Sequence, residues 1–192
     1  MVANNPGHLA GAIDSDGADK AARFLQLCDA FDIPVVTLVD TPGMMVGPAV
    51  EATALVRHCT RLFVVGANIT VPMVSVVLRK SYGLGAQAMM GGSTKAPLAC
   101  VAWPTGEFGG MGLEGAVRLG YRNELEAITD PAERERTFQS MVDRMYEVGK
   151  AVNVASHFEI DDVVDPADSR RWIAALLSAA PRPQRSGKKR PN

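Results

Sequence analysis

The stretch Val76-Val77-Leu78-Arg79-Lys80-Ser81-Tyr82-Gly83-Leu84-Gly85-Ala86-Gln87-Ala88-Met89-Met90 narrows the choice of fold more than any other part of the chain. An apolar, β-branched run leads into a basic pair, then two spaced glycines, then small residues suited to a helix. Gly83 and Gly85 admit backbone conformations closed to other residues and let a ligand approach the main chain. A helix beginning near Ala86 would leave its first amides without intrahelical partners, free to face an anion or a developing oxyanion. An ordinary strand-to-helix turn with two convenient glycines would read the same way.

The rest of the chain repeats the alternation. Asp14-Ser15-Asp16 offers helix caps, and Ala18, Ala22, Leu25 and Cys28 follow at helical spacing. Val35 to Val39 reads as a buried strand, with Asp40-Thr41-Pro42-Gly43 as a turn behind it. A helix is expected from Glu51 through Phe63, and a strand from Val71 to Leu78. A further strand is expected over Ala99 to Ala102, with a loop-to-helix turn over Gly109 to Gly120. Asp130-Pro131 places a cap and an N1 proline before a long charged helix through Val148. Asp165-Pro166 repeats the device before a last helix ending near Ala180. Strands separated by helices imply an α/β domain with helices packed around an inner sheet. One domain over residues 1–180 is expected, followed by a basic, proline-containing tail over 181–192.

Composition removes several function classes. With 47% apolar and 21% charged residues the chain is globular, and no apolar run approaches a membrane span. Its opening residues carry no secretory signal, and its three cysteines sit apart among apolar neighbours. Reduced core thiols in a cytoplasmic protein are expected, with no metal site. Arg182, Arg185, Lys188, Lys189 and Arg190 concentrate positive charge in the tail, leaving an acidic body unsuited to nucleic acid.

Familiar catalytic spellings fail on context. Gly110-Met111-Gly112-Leu113-Glu114-Gly115 spells a dinucleotide fingerprint, but Trp103 to Gly109 separate it from the preceding strand and no βαβ unit with an acidic strand end follows. Gly91-Gly92-Ser93-Thr94-Lys95 has the wrong order for a phosphate loop. Asp161-Asp162 and Asp165 read as turn and capping acids, and His8 as a structural hydrogen-bonding residue. Arg79-Lys80 at a strand end fits either an anionic ligand or solvated charge.

Several segments together resemble one family. They include Asn5-Pro6-Gly7-His8-Leu9-Ala10-Gly11-Ala12-Ile13-Asp14, Val39-Asp40-Thr41-Pro42-Gly43, Leu78-Arg79-Lys80-Ser81-Tyr82-Gly83, Ala102-Trp103-Pro104-Thr105, Met111-Gly112-Leu113-Glu114-Gly115 and Ile160-Asp161-Asp162-Val163-Val164-Asp165-Pro166. Their order and spread are similar to the C-terminal half of biotin-dependent acyl-CoA carboxylase carboxyltransferase (beta) subunits, the propionyl-, methylcrotonyl- and acetyl-CoA carboxylases. The resemblance implies a crotonase-like spiral α/β fold and transfer of a carboxyl group from carboxybiotin to the α-carbon of an acyl-CoA. It implies catalytic main chain at Gly83, Leu84, Gly85 and Ala86, and a biotin-side lining from Tyr82, Gln87, Met111, Gly112, Pro42 and Gly43. The implied partners are an N-terminal carboxyltransferase half, a biotin carboxylase or biotin-carrier subunit that bears the biotin, and further copies in a homo-oligomer. The implied base is biotin's own ureido nitrogen, so no side-chain base is expected.

The chain departs from the family at Tyr82-Gly83-Leu84-Gly85-Ala86-Gln87, where short-chain enzymes often read Tyr-Gly-Gly-Ala-Tyr-Asp. Met44-Met45-Val46 likewise replaces a commoner Phe-Leu-Pro. The acyl substrate is left open by these differences. Two alternatives stand beside this reading. One is a self-contained acyl-CoA hydratase or decarboxylase using Glu107 and Glu114. The other is a non-catalytic assembly domain.

Overall fold

The computed structural model describes residues 1–181, so the basic residues of the expected tail lie outside the described part. A parallel sheet forms the centre, with strands in the order β1-β2-β3-β4-β6 and β5 paired to β3. The strands are β1 (Val2–Ala3), β2 (Val35–Thr41), β3 (Met73–Tyr82), β4 (Ala99–Ala102), β5 (Glu107–Gly109) and β6 (Asp162–Val163). Because every pairing is parallel, each connection crosses over, and most carry a helix. β3 is the axis of the sheet. Val74, Val76 and Val77 on it are at most 1% exposed, as expected of a strand covered on both faces.

α1 (Ser15–Ala30) begins where Asp14 accepts a hydrogen bond from the Gly17 amide at 2.8 Å, as its capping residues suggest. It packs with α3 (Leu55–Asn68) over one sheet face, burying Ala22, Leu25, Cys59 and Leu62 in the main core. The helix expected from Glu51 is divided instead. α2 (Pro48–Glu51) ends before Ala54, whose left-handed backbone (φ 60°) separates it from α3. α4 (Gly83–Met89) follows β3 directly.

α5 (Leu113–Gly120), α6 (Arg122–Ala127) and α7 (Pro131–Gly149) enclose a second, smaller core of Val117, Leu125, Phe138 and Val142. α7 starts as anticipated, with Asp130 accepting from the Ala132 and Glu133 amides and Pro131 in its first turn. α8 (Ala151–Ser156) leads to β6, and α9 (Ser169–Ala179) covers the other face through Trp172 and Ile173. Asp165-Pro166 opens a short 3₁₀ turn before α9 rather than α9 itself.

Cys28, Cys59 and Cys100 are buried and free, in agreement with core thiols. Among the described residues no helix is long and apolar enough to cross a membrane, and no cluster of metal-ligating side chains occurs.

Candidate functional site

The strand expected to end at Leu78 continues to Tyr82, and the helix expected near Ala86 begins at Gly83. The extension holds because the polar residues after Leu78 find partners. Asp40, only 9% exposed at the end of β2, accepts the Arg79 guanidinium through both oxygens at 3.2 Å and the Lys80 amide at 3.2 Å. Arg79 is thus paired with Asp40 across the ends of β2 and β3. Beyond it, Lys80, Ser81 and Tyr82 pair with Glu107, Phe108 and Gly109 of β5.

Both glycines of the turn answer to close main-chain neighbours. Gly83 has φ +58°, and a methyl group there would lie 2.8 Å from the Gly110 carbonyl oxygen. At Gly85 a methyl group would lie 2.5 Å from the carbonyl carbon of Gly43. The Thr41-Pro42-Gly43 turn thus forms the back support of α4. Its shape is set by the Thr41 hydroxyl, which donates to the Gly43 carbonyl at 3.0 Å and accepts the Gly43 amide at 3.1 Å.

The amides of Gly83, Leu84 and Gly85 have no carbonyl one helical turn behind them. The β3–β5 ladder ends with the Tyr82–Gly109 pair, so Leu84 and Gly85 lie past its last rung. In front of the helix runs a groove of about 580 Å³. It is lined on the α4 side by Gly83, Ala86, Gln87 and Met90 and on the other by Met111, Ala116, Met145 and Val148. Of the ten residues singled out in the sequence, Gly83, Ala86, Gln87 and Met111 line this groove. Tyr82, Leu84, Gly85, Gly112, Pro42 and Gly43 are not among the lining residues. Met90 could have been found from sequence, since it continues the helical spacing of Gly83, Ala86 and Gln87. Met145 and Val148 come from a distant helix and had no comparable signal.

Beside the groove two tyrosines hold two carboxylates. The Tyr82 hydroxyl donates to Glu107 Oε2 at 2.8 Å, and the Tyr146 hydroxyl to Glu114 Oε1 at 2.8 Å. Burial, reinforced by the Glu107 carboxylate, pushes the Tyr82 phenol well above its ordinary value. Glu114 is held low by a backbone hydrogen bond first and by the Tyr146 hydroxyl second. Neither glutamate is among the lining residues. His8 Nε2 lies 3.0 Å from Asp14 Oδ2, a structural contact as expected, and Asp161 accepts the Cys100 amide at 2.7 Å.

Residues 1–192 match the family described as the carboxyl transferase domain. The methylmalonyl-CoA carboxyltransferase 12S subunit of Propionibacterium freudenreichii subsp. shermanii is 39% identical, over 100% of this chain and 36% of that subunit. A solved single-chain, multi-domain long-chain acyl-CoA carboxylase is 57% identical with a TM-score of 0.80, over 91% of this chain and 17% of that one. The transcarboxylase 12S crystal structure with methylmalonyl-CoA and methylmalonic acid bound is 36% identical with a TM-score of 0.86, over 99% of this chain and 36% of that one. This chain spans 36% of the length of the 12S subunit it matches. The parallel sheet with helices packed around it is the crotonase-like arrangement that the resemblance implied. On fold, sequence and order of motifs together, the chain belongs to the carboxyl transferase domain family.

Proposed function

We propose that this domain supplies the carboxybiotin side of a composite site that carboxylates the α-carbon of an acyl-CoA. One observation carries the reading: the groove opens at the glycine-rich start of α4, where the Leu84 and Gly85 amides lie past the end of the ladder. Its size and largely apolar walls fit a small bicyclic ring, and the main-chain donors at one end suit a ureido or thioester oxygen. When bound there, biotin would deliver the carboxyl group and take up the α-proton at its ureido nitrogen.

The chain's own contribution is positioning and polarity. Leu84 and Gly85 donate to oxygen atoms on which negative charge develops, with Gly83 and Ala86 shaping the floor. Removing one such donor from a dry site typically costs about 3 kcal/mol of barrier lowering. Met111 and Gln87 border the ring, and Leu84, 62% exposed, and Met111, 43% exposed, turn apolar surface toward an N-terminal carboxyltransferase half. Pro42 and Gly43 hold α4 from behind, and Tyr82 and Gly112 end the segments on either side. The reading includes a biotin-carrier partner, a homo-oligomer and a cytoplasmic compartment. Glu107 and Glu114, the acids the hydratase alternative would use, each accept a tyrosine hydroxyl and do not line the groove.

The test is decarboxylation of malonyl- or methylmalonyl-CoA with free biotin, by this domain alone and with an N-terminal half added. Activity should require the added half. Full turnover by the domain alone, or none in either mixture, overturns the proposal.

A further inference from the structure

The groove extends well past the glycine turn, and a strained aromatic residue marks its far end. From Gly83 to Met90 it runs along α4 for about 10 Å. It then reaches Thr94 and Glu159, where the Thr94 hydroxyl donates to Glu159 Oε1 at 3.3 Å. Phe158, next to Glu159, is 82% exposed and has a left-handed backbone, φ +59°. That conformation is costly for a bulky residue. Its neighbours hold it there. The Phe158 amide donates to the Ala155 carbonyl at 2.9 Å, the Lys95 ammonium donates to the Phe158 carbonyl, and Ile160 is buried. A fixed backbone thus presents the ring to solvent, as a preorganised anchor for a partner requires. Val148 and Val152, on the helices leading to it, are exposed as well.

Resting on the carboxyltransferase reading above, we infer that Phe158 and the Thr94–Glu159 end of the groove form the docking surface for the biotin-carrier partner. With the ureido ring at the start of α4, the arm lies along the helix between Met90, Met145 and Val148. The carrier's modified lysine then stands at Phe158. A biotinyl-lysine arm has about eleven bonds from ring to lysine Cα, roughly 14 Å when extended. That length spans the α4 run of the groove and leaves a few ångströms to reach its far end. The arm is uncharged, and among the described residues no lysine, arginine or histidine lines the groove. Acyl-CoA approaches from the opposite end, at Leu84 and Met111. A single aromatic anchor, in place of a broad apolar face, suits a carrier that must also leave.

The experiment uses the complete carboxyltransferase containing this domain and measures decarboxylation of malonyl- or methylmalonyl-CoA with two acceptors, free biotin and a biotinylated carrier domain. With either one, the bond from the α-carbon to the carboxyl group breaks and a bond from a ureido nitrogen to that group forms. The ureido proton passes to the α-carbon. Phe158→Ala should raise KM for the carrier about tenfold or more. It should leave KM for the acyl-CoA and the rate with free biotin within about twofold. An unchanged carrier KM overturns the inference, whether or not the mass of the oligomer changes, as does an equal loss with both acceptors. Transfer to neither acceptor by the unmodified enzyme would instead remove the underlying reading. Calorimetric binding of the biotinylated carrier then still decides the surface: weakening by Phe158→Ala supports it, and equal or undetectable binding by both proteins overturns it.

Discussion

Gly85 rests directly on Gly43, so closely that a single added methyl group would come within 2.5 Å of the Gly43 carbonyl carbon and 2.7 Å of its Cα. Both partners are main chain, and neither can swing aside as a side chain would. Gly85→Ala should therefore destabilise the domain by about 1–3 kcal/mol, in the manner of an overpacked core. Leu84→Ala, one residue away with its side chain 62% exposed, should stay within about 0.5 kcal/mol. Urea denaturation of the two variants separates the cases, and equal stability would refute the packing argument.

Arg79 is predicted to matter for stability and not for substrate charge. Its side chain is 50% exposed, so loss of the Asp40 pair in Arg79→Ala should cost no more than about 1 kcal/mol. Asp40→Ala removes the acceptor for both Arg79 and the Lys80 amide and should cost about 1–3 kcal/mol. CoA-thioester affinity of Arg79→Ala, read by titration calorimetry, should match the unmodified protein.

Acid should loosen the start of α1. The Asp14 carboxyl is held below the usual carboxylate range by His8 first and the Gly17 amide second. A depressed folded-state value contributes stability above about pH 4 that is lost as pH falls through the folded-state pKa. Asp14→Ala should lose about 1 kcal/mol at pH 7 with the cap and show a shallower acid decline. Melting temperatures at pH 7 and pH 3 measure both effects.

Alkali should act through Tyr82. Its phenol is raised by burial, with Glu107 adding to the effect, so the folded state binds a proton that the unfolded chain releases near pH 10. Stability is thus complete below about pH 10 and declines as pH rises beyond it. Tyr82→Phe should remove that decline and cost about 1 kcal/mol at neutral pH, where Glu107 loses its donor. Denaturant midpoints across pH 8 to 11 provide the comparison.

Buried thiols give a further check, this time on the core. Burial pushes Cys100 up to about 12, so its thiolate is scarce at pH 8. Labelling by a disulfide reagent in native buffer should be limited by unfolding, and fast labelling would contradict the placement of β4.

Elements marked by local chemistry were legible before any coordinates. Asp130-Pro131 announced α7, and the Ala99–Ala102 strand matched its apolar run. The last turn of β3 was hidden because Arg79, Lys80 and Ser81 break the apolar pattern and are held by residues far away in sequence. β5 is three residues long and ends in glycine, too short for periodicity to reveal. The break at Ala54 carries neither glycine nor proline. At the site, the glycine pair pointed to α4, but which face of α7 would meet it depends on tertiary packing alone.

The groove has one clamped jaw and one adjustable jaw. α4 is braced against the central sheet by bare backbone, whereas Ala116 and Met145 lie on α5 and α7, helices built around their own small core. Substitutions that retune the cleft for a new substrate should therefore accumulate on α5 and α7, leaving the glycine-rich floor untouched.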